Sequence, residues 1–190
     1  MARPNVSPSG EEIFFDASEI IVSKTDLQGR ITYANDVFQR VAGYTEAELI
    51  GRPHNLIRHP DMPRSVFQLL WDTIRGGEEI FAYVVNLSRC GGHYWVFAHV
   101  TPSFDDDGTI VGYHSSRRVP DRRAVEQVIP LYAKLREIEE SAATPKAGIT
   151  AAISHLTDTL ASAGVSYAQF VFSLTGLTLA SQSTLEEVAR

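Results

Sequence analysis

The chain is predicted to be an α+β domain followed by a helical C-terminal extension. Three observations carry this. Two β-rich runs lie before residue 35 and three more after residue 79, with helical periodicity between the two groups. Turn signals separate neighbouring runs closely enough for antiparallel pairing. From Asp121 onward the pattern is helical throughout. Two strands, several short helices and three strands describe a five-stranded antiparallel sheet with short helices on one face. The expected division is a flexible N-terminus over 1–12, a sheet domain over 13–120 and the extension over 121–190.

The first twelve residues carry two prolines, two serines and a glycine, which predicts a loose segment. Ile20–Asp26 and Arg30–Ala34 read as strands of a hairpin, joined by the Asp26-Leu27-Gln28-Gly29 turn. From Asn35, Val37, Phe38, Val41 and Ala42 fall on one helical face that Gly43 can terminate. Thr45-Glu46-Ala47-Glu48 resembles a capping box and starts a second short helix. Gly51–Pro63 reads as one irregular helical turn. Pro63 opens a longer helix through Phe67, Leu70, Trp71 and Ile74, ended by Gly76-Gly77. Ile80–Leu87, Tyr94–Ser103 and Thr109–Val119 are strands, with turns at Arg89-Cys90-Gly91-Gly92 and Asp105-Asp106-Asp107-Gly108.

In the extension, Val125, Val128, Tyr132 and Leu135 make a stripe in which Pro130 predicts a kink or restart. Thr144-Pro145 is a cap followed by a first-turn proline. Ile149, Ile153, Leu156 and Leu160 follow at heptad spacing, continued by Ala163, Tyr167, Phe170, Leu174 and Leu177. A single long dimerising helix competes with two helices broken at Ala163-Gly164. The Ser166–Gln169 capping box favours the break.

Composition narrows the function. The 190 residues are 44% hydrophobic and 21% charged, ordinary for a chain that buries a core. A net charge of -6 gives no general attraction to nucleic acid or anionic membrane. Cys90, the one cysteine, excludes an internal disulfide framework. With no long apolar run and no signal peptide, the expectation is a cytoplasmic protein without membrane insertion. No nucleophile triad, phosphate loop, zinc signature or kinase motif marks it as an enzyme.

The concentrated chemistry lies in GRPHNLIRHPDMP, Gly51–Pro63. Together with ITYANDVFQRVAGYTEAELI before it and NLSRCGGHYWVFAHVTP after it, this stretch resembles the FAD-binding PAS domain of bacterial aerotaxis receptors. The likeness runs from about Ile20 to Leu135. The resemblance implies a PAS fold with FAD held non-covalently between the sheet and the short helices. It carries cofactor-binding roles to Asn35, His54, Asn55, Arg58, His59, Asp61, Trp71 and Asn86. It also implies a redox or oxygen sensor for aerotaxis or energy sensing, acting on a downstream signalling protein, with a homodimer as the expected assembly. Ile80 departs from the pattern, standing where the family places a tryptophan, and the receptors' membrane segment and signalling helices have no counterpart here.

Physically, FAD needs fixed donors beside an apolar slot. Arg58 can grip phosphate in a bidentate way, and His54, Asn55 and His59 add donors. Other roles stand beside these. Asp61 suits a helix cap, Asn35 an N-cap and Trp71 the core. Asn86, an interior strand amide, needs a partner. His54, His59 and Asp61 match no strong metal motif. His93, His99 and His114 lie on strands and, if inward, would suit a haem gas sensor. A ligand-free PAS interaction module is the other alternative. Light-sensing PAS domains carry a photoreactive thiol in the segment matching Gly51–His59, which here holds no cysteine.

Overall fold

The computed structural model describes residues 6–175. Five strands, β1 (Ile21–Thr25), β2 (Ile31–Ala34), β3 (Ile80–Leu87), β4 (His93–Phe104) and β5 (Ile110–Arg118), form one antiparallel sheet in the order β2-β1-β5-β4-β3. Between β2 and β3 lie α1 (Asp36–Ala42), α2 (Glu46–Leu49), a 3₁₀ turn (His54–Ile57) and α3 (Arg64–Arg75). After β5 come α4 (Arg122–Ser141), α5 (Pro145–Ser162) and α6 (Tyr167–Ser173).

Local chemistry sets the boundaries. Asn35 caps α1 by accepting from Phe38 N–H at 3.0 Å, and Gly43 ends it at φ 75°, where a side chain would be strained. The Glu48 carboxylate accepts from Thr45 N–H at 3.0 Å, closing the box at α2. α4 runs through Pro130 without ending. Helix α5 stops at Ala163 and the chain turns at Gly164 before the Ser166–Gln169 box starts α6, so the break prevails over one long helix. Residues 9–13, expected to be loose up to Glu12, are tied to the β3–β4 turn. Ser9 N–H donates to Gly91 O at 2.8 Å and Ile13 N–H to His93 O at 2.7 Å.

Strand register assigns the two faces of the sheet, because residues opposite each other share a face. Asn86 pairs with Tyr94, Ala98 with Arg117 and Ser115 with Ser23, so these residues face the short helices. The other face carries Tyr83, Trp95 and Phe97, and α4 and α6 cover it. Tyr132 Oη donates to Tyr83 O at 2.6 Å, and Phe172 packs on Phe81 at 4.8 Å between centroids. His99 and His114 lie on this second face, away from the inward placement a haem reading needs, whereas the His93 ring stands 5.7 Å from that of His59.

The seam of α5 is used within the chain. Gly148, Ala152, Leu156 and Leu160 are buried, and Leu156 and Leu160 join the same core as Phe38, Tyr94 and Leu135. Of the stripe Ile149, Ile153, Leu156 and Leu160, the two leucines are thus covered within the chain, and the two isoleucines are partly buried. Leu177, at the end of that spacing, lies outside the described residues. No helix among the described residues is long and apolar enough to cross a membrane.

Candidate functional site

A cavity of about 680 Å³ lies between the β1–β2 turn, the Gly51–Pro63 segment, α3 and the α4–α5 corner, and meets the sheet at Asn86. The hairpin turn supplies Gln28 and Gly29, and the Gly51–Pro63 segment supplies His54, Asn55, Arg58, His59 and Met62. Helix α3 supplies Arg64, Phe67, Leu70 and Trp71, and β3 supplies Asn86. The size suits a small-molecule cofactor, and the lining mixes apolar rings with a few fixed polar groups.

Asn86 is only 4% exposed, and its Nδ2 has no hydrogen-bond partner. A buried donor left unpaired costs about 1–3 kcal/mol, and this one belongs to a residue that lines the cavity. Arg58 pairs with Asn86 through an antiparallel backbone bridge. Its guanidinium lies 4.4 Å from the centroid of the Phe67 ring and donates to Met62 O at 3.2 Å. Trp71 meets Tyr113 edge-on at 5.4 Å and stands against Gly29, where an added Cβ would come within 2.9 Å of the indole. Glycine at that turn therefore lets Trp71 sit where it does.

Behind the cavity wall lies a buried cation that sequence reasoning missed. Arg117 is 2% exposed and pairs with no acid. Its Nη2 donates to Ser23 Oγ and to His54 Nε2, the latter at 3.1 Å, and its guanidinium stands over the Phe38 ring at 4.7 Å. Because arginine only donates, His54 Nε2 accepts and the imidazole proton sits on Nδ1. Burial, reinforced by the Arg117 charge, pulls His54 down from 6.5 to about 3 and keeps it neutral. Burial also lowers Arg117 to about 10, still protonated at neutral pH. The alternation Tyr113, Ser115, Arg117 along β5 was the available signal, since period-two phasing puts all three inward.

The structure brings together six of the eight residues named from the sequence: His54, Asn55, Arg58, His59, Trp71 and Asn86 line the cavity. Two stand elsewhere. Asn35 spends its amide on the fold, accepting from Val22 N–H and Phe38 N–H at 3.0 Å and donating to Ile20 O at 2.8 Å. Asp61 points to α4, where its carboxylate accepts from Arg136, and does not pair with Arg58. His59 is lowered by burial, an effect that nearby Asp61 opposes. Among the described residues, no three His, Cys, Asp or Glu side chains gather to hold a metal ion.

The helical extension also reaches the cavity. Arg136, Glu139, Glu140, Ala142, Pro145 and Ile149 form part of its wall. Glu139 accepts from Ser65 N–H and Ser65 Oγ at 2.7 Å and from Arg64 N–H at 3.0 Å. It thus caps α3, whose own N-cap, Pro63, offers no side-chain acceptor.

Comparison with known proteins agrees with this architecture. Residues 31–117 match the family described as PAS fold. The chain is 45% identical over 115 residues to the aerotaxis receptor of Escherichia coli (strain K12), covering 60% of this chain and 22% of the receptor. It is 30% identical over 103 residues to the nitrogen fixation regulatory protein of Klebsiella pneumoniae, covering 54% of this chain and 21% of that protein. The chain spans about a fifth of the length of these relatives. Among solved structures, the light state of the blue-light photoreceptor Aureochrome1 LOV superposes with a TM-score of 0.52 at 20% identity, covering 62% of this chain and 91% of that one.

Proposed function

We propose that residues 31–117, which match the PAS fold, form a sensor domain, that the cavity holds FAD and that the protein reports redox or oxygen state to a signalling partner. The observation that carries this reading is Asn86, a buried amide on the cavity wall whose Nδ2 lacks a partner. The residues fit the group. Met62, Phe67, Leu70 and Trp71 offer an apolar slot for a ring, and Arg58 with the buried His59 offers donors for phosphate and ribityl oxygens. A bound flavin would supply reversible electron transfer, a ring nitrogen gaining a proton on reduction. The protein's part is to bind, orient and answer that change, and the Asn86 amide can do the last because it both donates and accepts. Cys90, the single cysteine, lies in the β3–β4 turn and not on the cavity wall, so a thiol-based photocycle finds no support.

The same reading divides the chain into a sensor over 13–120 and an output extension over 121–190, in a cytoplasmic homodimer. Val119 and Ile129 are exposed apolar residues at and beyond the junction, which supports α4 as the pairing face.

The absorbance spectrum of the purified protein, recorded before and after dithionite, tests the assignment. Flavin bands that bleach on reduction are expected. A colourless protein that takes up no added FAD sinks the reading in favour of a ligand-free module, and a strong Soret band turns it to haem. Arg58→Ala should lower FAD affinity by roughly tenfold or more, since a charge-assisted hydrogen bond contributes about 1.5–3 kcal/mol. Full retention in both Arg58→Ala and His59→Ala would remove those two residues from the site.

A further inference from the structure

We infer that the helical extension builds the half of the site that takes the nucleotide end of a dinucleotide ligand, so that the corner between α4 and α5 selects FAD over shorter flavins. This rests on the flavin reading above and adds to it where the distal part of the ligand lies. The cavity is continuous from Asn86 on the sheet to Pro145 and Ile149 on α5. A flavin ring placed against Asn86 engages the wall made by β3. The wall made by the extension is then left for whatever the ring carries.

The chemistry of that wall suits a pyrophosphate and a base. Three guanidinium groups, Arg58, Arg64 and Arg136, border the cavity. Among the described residues, the Arg64 side chain has no hydrogen-bond or ion-pair partner, although it is half buried at the first turn of α3. The acids facing it are already engaged. Glu139 is held by three donors on α3, and Glu140 accepts from Arg136 at 3.4 Å. Among the described residues Arg64 is thus the cation of this corner that no acid has taken, and arginine suits phosphate geometry. Beyond it, Ala142, Pro145 and Ile149 give an apolar surface on which a purine can lie.

The wall is fixed, which a selective subsite requires. An added Cβ at Gly148 would sit 2.4 Å from Glu139 O, so α5 lies directly against the end of α4. Asp61 holds Arg136 and Ser65 holds Glu139, which ties that corner to the cavity's own segment.

Equilibrium binding of FAD, FMN and riboflavin to the full chain tests this, using Arg64→Ala, Arg136→Ala and Ile149→Trp. The expected result is a loss of roughly tenfold or more in FAD affinity with riboflavin affinity unchanged, the scale of one lost charge-assisted bond or one blocked surface. Equal losses for all three ligands, or no loss for any, overturn the inference while leaving the flavin assignment intact. A wild-type chain that binds FAD no better than riboflavin also overturns it. Failure of the wild type to bind any flavin removes both. Should Ile149→Trp unfold by circular dichroism, Arg64→Ala decides, because that side chain supports no described contact.

Discussion

His54 and Arg117 lie side by side in the interior, and only one of them carries charge. This makes stability depend on pH. The folded chain holds His54 near 3, whereas the unfolded chain holds it near 6.5. Above 6.5 the imidazole is neutral in both states and the folded state keeps its full advantage. Below 6.5 the unfolded chain takes up a proton that the folded chain refuses, so stability falls with pH down to about 3. The slope for one proton is about 1.4 kcal/mol per pH unit. Urea titrations between pH 4 and 7 should show it, and His54→Gln should flatten the part that His54 contributes. An unchanged slope in the variant would place the charge elsewhere. The residue scale is also where sequence legibility was uneven. Both Asn35 and Asn86 took a cofactor-binding role from the resemblance, although Asn35 suited an N-cap and Asn86 an interior strand amide. Structure separates them by what lies opposite: Asn35 meets two amide donors and a carbonyl, whereas Asn86 has an unpaired Nδ2 on a cavity wall. No local spacing encodes that difference. The partner of Asp61 was hidden for a similar reason, since Arg136 is 75 residues away in the chain.

At the scale of elements, legibility was high wherever a helix carries its own start and stop. Asn35, Gly43, Thr45, Pro145, Gly164 and Ser166 all act locally, and each boundary falls where its chemistry puts it. Helix α3 is the exception. Pro63 supplies no side-chain cap, and the missing acceptor comes from Glu139 of α4, 74 residues from buried Ser65. Glu139→Ala should therefore lower stability by about 2 kcal/mol, a lost cap plus an unpaired buried amide. Hydrogen exchange should rise in the first turn of α3 and not only in α4, and faster exchange confined to α4 would argue against the cap. Gly148→Ala tests the neighbouring contact. Alanine gains about 1 kcal/mol of helix propensity. A Cβ placed 2.4 Å from a backbone oxygen cannot be accommodated without shifting a helix, at a cost of roughly 1–3 kcal/mol or more. The net expectation is a destabilised chain in which α5 loses exchange protection ahead of the sheet. A more stable variant would mean that the two helices separate readily.

The whole molecule has one principal core that runs from Phe38 and Tyr94 through Leu135 to Leu156 and Val171. The extension is thus docked on the sheet domain, and under the proposed function a signal would change how it is docked. Two connections join the cavity to α4. Strand β5 ends at Arg118 and leads into α4 at Arg122. The second runs through the cavity segment: Asn86 bridges to Arg58, Arg58 holds Met62 O, and neighbouring Asp61 holds Arg136. If the Asn86 amide turns over when the group facing it changes from acceptor to donor, the Arg58 backbone bridge lies next to the change. That bias reaches α4 only if the two redox states favour different arrangements of the helix, because a ligand shifts an equilibrium by no more than its differential affinity. Hydrogen exchange on the oxidised and reduced protein measures this directly. Protection should change between Asp121 and Glu140, and the change should shrink in Asn86→Ala at matched flavin occupancy. Arg136→Ala, which cuts the Asp61 link, should shrink it as well if the cavity segment is the route, and leave it intact if β5 is. Identical exchange in both redox states would leave a flavin-binding domain whose extension does not sense the flavin.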